Sequence, residues 1–336
     1  MIYKVPFAIL AGSNKGIDKE KELKDKSRTG KLYRTTFLDG DTKLYSMLKS
    51  GRRVLEQTVE SVYPVSSKPP LVIGDQNRIE LALGNKKVDI RQQEGKSLSD
   101  NIYQAIDTMR YIGENGGFVL MGGDLPSINS KDLEKFIEDA QNEDKDVVMG
   151  MSDVDEMLEL YQEIKNKNTK EPKKFGIRFR DDKDMYNSHN PRLTFGTVFF
   201  IKDTLYEKKD LLRERMDEIV RLKRVFNEKE NYPIIAEFLK DDGFEIKNPP
   251  KGKFSLAYFS LVNSTPLRKL LLGNVITKAN SKYSMSISEL EDLIEKKVLD
   301  SNLSLGITRV SPLFGYDIDD RNDIEIANSI YRKNIK

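Results

Sequence analysis

Two acidic clusters, far apart in the chain, frame the chemistry this sequence can support. In residues 118–129, FVLMGGDLPSIN, an apolar run ends abruptly in two glycines, Asp124 and, two positions on, Pro126. An aspartate behind two glycines can approach a ligand closely, because no side chain on the preceding residues stands in the way. Its plain alternative is an aspartate that caps the following turn. The second cluster, DIDD at 317–320, opens the last helical stretch, where N-terminal caps also favour Asp. A third feature, LAGSNKG at 10–16, is a glycine-bearing turn after an apolar run. It has neither the GxxxxGK[ST] nor the GxGxxG pattern, but its backbone N–H groups can cradle phosphate, with Lys15 adding positive charge. Together the three suggest a divalent-metal site facing a phosphate-binding turn. Magnesium favours one or two carboxylates completed by phosphate oxygens and water, and it offsets charge on a transferring phosphoryl group.

Composition removes several competing chemistries. The chain of 336 residues has no cysteine, so disulfides, thiolate zinc sites and thiol nucleophiles are excluded. One histidine, His189 in YNSHNPR, reads as a loop residue and rules out a multi-histidine metal site. Lys+Arg and Asp+Glu nearly cancel, to a formal charge of +2, which argues against a general grip on nucleic acid. The apolar run after Pro6 is shorter than a signal-peptide core, and FSLAYFSLV is too short to span a bilayer. A soluble cytoplasmic protein with no transmembrane segment and no nucleic-acid partner is the expectation.

These residues need elements to position them. Residues 5–11 read as a buried strand, and SGRRVLEQTVESVYPV as a helix that stops before Pro64. PPLVIGD and KKVDIRQQ are two further short strands. KSLSDNIYQAIDTMRYIG sets Leu98, Ile102, Ala105, Ile106 and Met109 on one helical face, and the strand with Asp124 follows. NSKDLEKFIEDA begins with good cap residues and repeats Leu133, Phe136, Ile137 and Ala140 at helical spacing. KDVVMGMS is another strand. Strands alternating with helices predict right-handed crossovers and a mostly parallel sheet, whose ligands gather at the strands' carboxyl ends. LAGSNKG and GGDLP both fall there.

From about residue 150 the pattern changes. PRLTFGTVFFIKD is a strand, and 207–300 is mainly helical, ending in a helix with a capping box from Ser286 to Glu289. LGITRVSP reads as a returning strand before the carboxylate-rich turn and the final helix. The expected organisation is an α/β core at 1–206, a helical insertion at 207–304, and a C-terminal strand, turn and helix at 305–336 that return to the core. FSLAYFSLVNSTPLRKLLLGNVI in the insertion is unusually apolar. It is read as a face packed on the sheet or on a second copy, which makes a homodimer through the insertion one option. Covering a greasy acceptor or touching a membrane surface is the other. Arg221, Lys223 and Arg224 read as a solvated helix face, with a phosphate clamp as the alternative.

AILAGSNKG, TKLYSMLKSGRRVLEQTVESV, VLMGGDLPSI, FGTVFFI and GYDIDDRNDIEIA resemble, in that order, the landmarks of the nucleotidyltransferases with a MobA-like, GT-A-type fold. The resemblance covers roughly residues 5–150, 190–205 and 305–332, and looks like a subgroup with a helical insertion before the last motif. It implies a three-layer GT-A/Rossmann-like α/β sandwich. The implied reaction joins an NTP to a phosphorylated sugar, polyol or cofactor, giving a nucleotide-linked product and pyrophosphate with Mg2+, or alternatively Mn2+, as cofactor. On that resemblance Leu10, Ala11, Gly12 and Ser13 hold base and phosphates, together with Gly123. Lys43 steadies phosphate charge at the transition state, and Lys15 stands where the family has an arginine. Lys31 or Arg34 can share that role. Gly95, Ser97, Ser99 and Asn101 belong to the base-facing turn. Asp124 is the first metal ligand and Asp319 the second, with Asp317 as the alternative, while Gly196 and Thr197 shape the acceptor side.

Two other functions fit the same outline. A GT-A glycosyltransferase would use a nucleotide-sugar on the same sheet, but such enzymes usually carry Asp-x-Asp at the strand end, where this chain has Gly-Asp-Leu-Pro. A catalytically silent nucleotide-binding scaffold would keep the fold and lose the turnover.

Overall fold

The computed structural model describes residues 4–12, 40–95, 98–112, 116–172, 176–186, 188, 190–207, 285–297 and 303–335. In chain order the strands are β1 (Phe7–Ala11), β2 (Leu71–Gly74), β3 (Asp89–Gln92), β4 (Phe118–Gly122), β5 (Val147–Asp153), β6 (Ile177–Arg178), β7 (Arg192–Ile201) and β8 (Leu305–Arg309). The helices are α1 (Gly40–Tyr45), α2 (Val54–Val62), α3 (Gln76–Leu83), α4 (Leu98–Ile112), α5 (Ser130–Asn142), α6 (Val154–Ile164), α7 (Ile287–Lys297) and α8 (Arg321–Ile335). All seven longer strands join one sheet in the order β3-β2-β1-β4-β7-β5-β8, and β6 pairs with β7. Every neighbour along that path is parallel except β7, which runs antiparallel to β4 and β5.

Strand alternation sends side chains to two faces, and each face is covered by helices. Phe7, Ile9 and Ala11 of β1 pack with Leu55 and Val59 of α2, Ile79 of α3, and Leu133, Phe136, Ile137 and Ala140 of α5. Ala8 lies on the opposite face with Ile102, Ala105, Ile106 and Met109 of α4. Ile287, Leu290 and Ile294 of α7 join that second face. The result is the expected three-layer α/β sandwich with a mostly parallel sheet. The strands and helices read from the sequence up to residue 153 all form, and the Ser286–Glu289 capping box closes with bonds of 2.8 and 3.1 Å.

Three features go beyond the sequence reading. Helix α6 begins at once after β5, capped by Asp153, and buries Val154, Met157, Tyr161 and Ile164. It packs with Tyr316, Ile326 and Ile330, which ties the final helix to the body of the fold. Helix α7, the described end of the 207–304 stretch, packs on the sheet. There Glu295 and Glu291 accept from the N–H groups of Leu305 (2.7 Å) and Ile307 (2.6 Å) on the edge strand β8. An edge strand otherwise presents unpaired backbone groups, so these two carboxylates close it. Most of 207–304 lies outside the described residues. Among the described residues, no helix is long and apolar enough to cross a membrane.

Candidate functional site

The site forms at the carboxyl ends of β1 and β4, two adjacent parallel strands. Leu10 is in register with Gly122, and one step further the N–H of Gly123 donates to the Leu10 carbonyl at 2.9 Å. The two glycines before Asp124 are there for close approach. A Cβ at Gly123 would lie 2.9 Å from Leu55 Cδ1 and 3.2 Å from the Leu10 carbonyl oxygen, and one at Gly122 would lie 2.6 Å from Asp124 Oδ1. Larger residues would displace the strand end or the carboxylate. Thr58 of α2 donates to the Gly123 carbonyl at 3.1 Å, and Leu125 and Ile128 are buried just beyond. Asp124 is thereby held at the rim, 9% exposed.

The second acidic cluster comes to the same place. Ile318 is fully buried against Leu48, Val54 and Ala327, and its N–H donates to the Asp124 carbonyl at 3.0 Å. That single bond fastens the 317–320 turn to the β4 exit. Asp320 caps α8 by accepting from Asn322 and Asp323 N–H. In return Asp323, 8% exposed, accepts from the N–H groups of both Asp319 and Asp320 at 2.9 Å, through the same oxygen. This is a reciprocal cap whose second function is to set the backbone of Asp319.

Lys43 joins the two clusters. It lies in the last turn of α1, next to Leu44, which is buried with Leu55 and Val59. Its ammonium is 2.5 Å from Asp124 Oδ2 and 3.6 Å from Asp319 Oδ1. Burial alone would lower the pKa of this ammonium. The charges of Asp124, then Asp319 and Asp317, outweigh burial and hold it above the ordinary lysine value. Among the described residues, no three His, Cys, Asp or Glu side chains converge into a ready-made metal cage. The two carboxylates could hold a magnesium ion whose other ligands are phosphate oxygens and water, at the place where the ammonium now lies.

Residues 93–101 and the end of β1 also meet. A Cβ at Gly12 would lie 2.6 Å from Gln93 Oε1 and 2.7 Å from Asn101 Nδ2, so both carboxamides rest against that glycine. Asn101 is 3% exposed, and its Oδ1 has no partner among the described residues. Gln93 Nε2 donates to the Gly95 carbonyl at 2.8 Å, and Gly95 itself abuts the Cβ of Asp100 so closely that no side chain fits there.

The predicted residues therefore divide. Gly12, Gly95 and Asn101 come together beyond the end of β1 through Gln93. Lys43, Asp124 and Asp319 come together beyond β4, with Asp317 acting on Lys43 through its charge. Leu10 and Gly123 are bonded to each other between them, and Ala11 is buried in the core. Thr197 lies beside Gly122, 3.5 Å from where its Cβ would be. Its hydroxyl is buried with no partner among the described residues. Gly196 is turned to packing, since a Cβ there would lie 2.9 Å from the Gly150 carbonyl at the β5 bulge. Ser13, Lys15, Lys31, Arg34, Ser97, His189, Arg221, Lys223 and Arg224 lie outside the described residues, as does the side chain of Ser99. Sequence reasoning misses Asp323, Gln93 and Thr58. Of these only Asp323 carries a usable signal, an Asp-x-x-Asp spacing at a helix start. A concavity of about 370 Å³ between α2, the 126–130 turn and α8 is lined by Gln57, Ser61, Ser127 and Tyr331, and contains none of the predicted residues.

One more carboxylate stands at the same edge of the sheet. Asp153 ends β5, is 3% exposed, and accepts from the Asp155 N–H at 2.8 Å. Burial pushes its pKa up to about 6, and the neighbouring Asp155 and Glu156 add to the rise against the opposing backbone hydrogen bonds.

The sheet order and its covering helices define an α/β protein of the GT-A/Rossmann-like class, with its candidate site at the strand ends where such sheets take ligands. Among solved structures the chain is similar to a hypothetical transferase from Thermus thermophilus, at 16% identity and a TM-score of 0.57, over 96% of this chain and 99% of that one. It also aligns with 4-diphosphocytidyl-2C-methyl-D-erythritol synthase from Anaerococcus prevotii DSM 20548, at 12% identity and a TM-score of 0.46, over 99% and 100% of the two chains. A third alignment is to a CMP:2-keto-3-deoxy-manno-octonic acid synthetase complexed with CTP, at 11% identity and a TM-score of 0.41, over 67% and 86%. The first likeness shows the fold. No protein-family model matches the chain, and no curated protein matches it.

Proposed function

We propose that this chain is a magnesium-dependent nucleotidyltransferase that joins an NTP to a phosphorylated small molecule and releases pyrophosphate. The observation that carries the reading is the Lys43 ammonium set between Asp124 at the end of β4 and Asp319 of the distant turn. A strand-end carboxylate, a second carboxylate and a lysine, with Gly12 and two buried carboxamides at the end of the adjacent strand, suit the binding of a metal–triphosphate with its base alongside. The Thermus chain of like fold is described as a hypothetical transferase, the same broad reaction class.

In this reading Asp124 and Asp319 hold the cation, with Asp317 as the neighbouring carboxylate. When bound, Mg2+ would neutralise charge on the phosphate oxygens. Gly12, Gln93, Gly95 and Asn101 receive the base and sugar, and Lys43 meets phosphate charge. An ionised acceptor phosphate oxygen bonds to the α-phosphorus in line, while the bond from that phosphorus to the bridging oxygen breaks. The electron pair leaves with pyrophosphate. The nucleophile is already ionised, so no general base is required, which agrees with a chain holding one histidine. Positioning and electrostatics supply the rate. Thr197 faces the acceptor side, and reaction proceeds in a cytoplasmic setting without nucleic acid.

The test is pyrophosphate release from each of the four NTPs with Mg2+, against a panel of sugar, polyol and cofactor phosphates. One NTP–acceptor pair should give sustained release that depends on both partners. Absence of release from every pair, with nucleotide binding retained, would favour a silent scaffold instead.

A further inference from the structure

The same ammonium that links the two aspartates also stands in the way of a metal. Asp124 Oδ2, the oxygen nearest Lys43 at 2.5 Å, belongs to a carboxylate only 9% exposed. Asp319 faces the same nitrogen at 3.6 Å, and its side chain is half exposed. Lys43 is 22% exposed, and its backbone is anchored through Leu44 while the ammonium sits on a four-carbon stem. The anchor is set by packing, and rotation about the flexible stem can carry the charged tip to another anionic partner.

We propose that Lys43 serves as an internal counter-ion for Asp124 and Asp319, so that the free protein resists divalent metal and accepts it only when an anionic ligand draws the lysine away. The inference rests on the functional reading given above. A cation arriving alone must take Asp124 from its ammonium partner and then lie within a few ångströms of that ammonium, where like charges repel strongly at low effective dielectric. A triphosphate gives Lys43 a new anionic partner and removes the conflict. Metal and nucleotide are then coupled favourably, and by linkage each strengthens the other's binding. The arrangement also keeps Asp124 from being a buried, unpaired charge between turnovers.

The test measures Mn2+ binding to the free protein without nucleotide, by the electron paramagnetic resonance of unbound Mn2+. Lys43→Met should bind Mn2+ at least about tenfold more tightly than wild type, within the usual span of coupling between sites. Lys43→Arg keeps the charge and should bind no more tightly than wild type. The thermal midpoint of Lys43→Met should rise with Mn2+ more steeply than that of wild type. A Lys43→Met chain that folds only when Mn2+ is added supports the proposal equally, since the metal then takes over the neutralising role of the ammonium. One that stays unfolded with Mn2+ overturns the proposal, because the metal then cannot replace the ammonium. Asp124→Asn in the Lys43→Met background separates the two claims. If binding persists there, the metal does not use Asp124 and the functional reading fails. If Asp124→Asn abolishes binding while Lys43→Met is no tighter than wild type, only the claim about Lys43 is overturned.

Discussion

Asp323 offers a test of how the turn at 317–320 is held, because the two bonds its carboxylate accepts from that turn end on one oxygen. Its Oδ2 accepts from the N–H of Asp319 and of Asp320 at 2.9 Å, and the residue is 8% exposed. Asp323→Ala removes both acceptors at once. Leaving a buried donor without a partner costs about 1–3 kcal/mol, and loss of a helix cap about 0.5–2 kcal/mol. Asp319 is half exposed, so water can reach part of the vacated position, and the expected net loss is about 2–3 kcal/mol. Asp323→Asn keeps one oxygen that can serve both N–H groups. It removes only the negative charge near the start of α8, worth about 0.3–1 kcal/mol. Urea unfolding of the three proteins should therefore rank wild type slightly above Asp323→Asn and well above Asp323→Ala. Pyrophosphate release should follow the same order, because Asp319 loses its fixed backbone only in the alanine variant. Equal losses in both variants, or an alanine variant within about 0.5 kcal/mol of wild type, would refute the reasoning, since surface substitutions away from any such feature fall in that range.

Two further outcomes follow from the packing. Asp153 has its pKa raised from 3.8 to about 6, so the folded state binds its proton more tightly than the unfolded chain. Its ionisation removes stability as pH rises from about 4 to about 6, by on the order of 2–3 kcal/mol at 1.4 kcal/mol per pKa unit. Asp153→Asn keeps a cap oxygen for the Asp155 N–H and should be more stable than wild type at pH 8 but not at pH 4. An equal difference at both pH values in urea titrations would contradict this. Glu291 accepts from Ile307 N–H and Lys183 through one oxygen, both at 2.6 Å. Glu291→Ala should lower unfolding free energy by about 3 kcal/mol and Glu291→Gln by less, read by denaturant midpoints, and an unchanged alanine variant would show that the edge of β8 is held by other means.

The parts of the fold that could be read from the sequence are those whose signal is local. Phe118–Gly122 is an apolar run cut off by glycines, and α5 repeats its apolar residues at helical spacing after an Asn cap. Each carries its own pattern and needs no partner to be recognised. The direction of β7 had no such signal, since an antiparallel strand between two parallel ones is set by how the chain returns. Helix α1 is six polar-rich residues whose place is fixed by burying Leu44, and short helices have little local stability of their own. Lys43 is therefore found through resemblance to a motif, whereas its ion pairs exist only in three dimensions. The same holds for Gln93, an ordinary polar residue until β3 places it against Gly12. Asp124 and Asp319 were both legible as acidic positions. Their meeting depends on Ile318, whose burial and single backbone bond to Asp124 bring a distant turn to the strand end.

The central question is whether Asp124 serves a metal-dependent reaction or merely ends a strand. The direct measurement is the rate of pyrophosphate release as Mg2+ is varied, for wild type and Asp124→Asn, with an NTP–acceptor pair that the wild type uses. The two proteins should share a far-ultraviolet circular dichroism spectrum and a similar thermal midpoint, while the variant loses on the order of a hundredfold to a thousandfold in rate, a loss of the size seen when transition-state charge stabilisation is removed. A variant that releases pyrophosphate at the wild-type rate, with the wild-type dependence on Mg2+, would contradict the account.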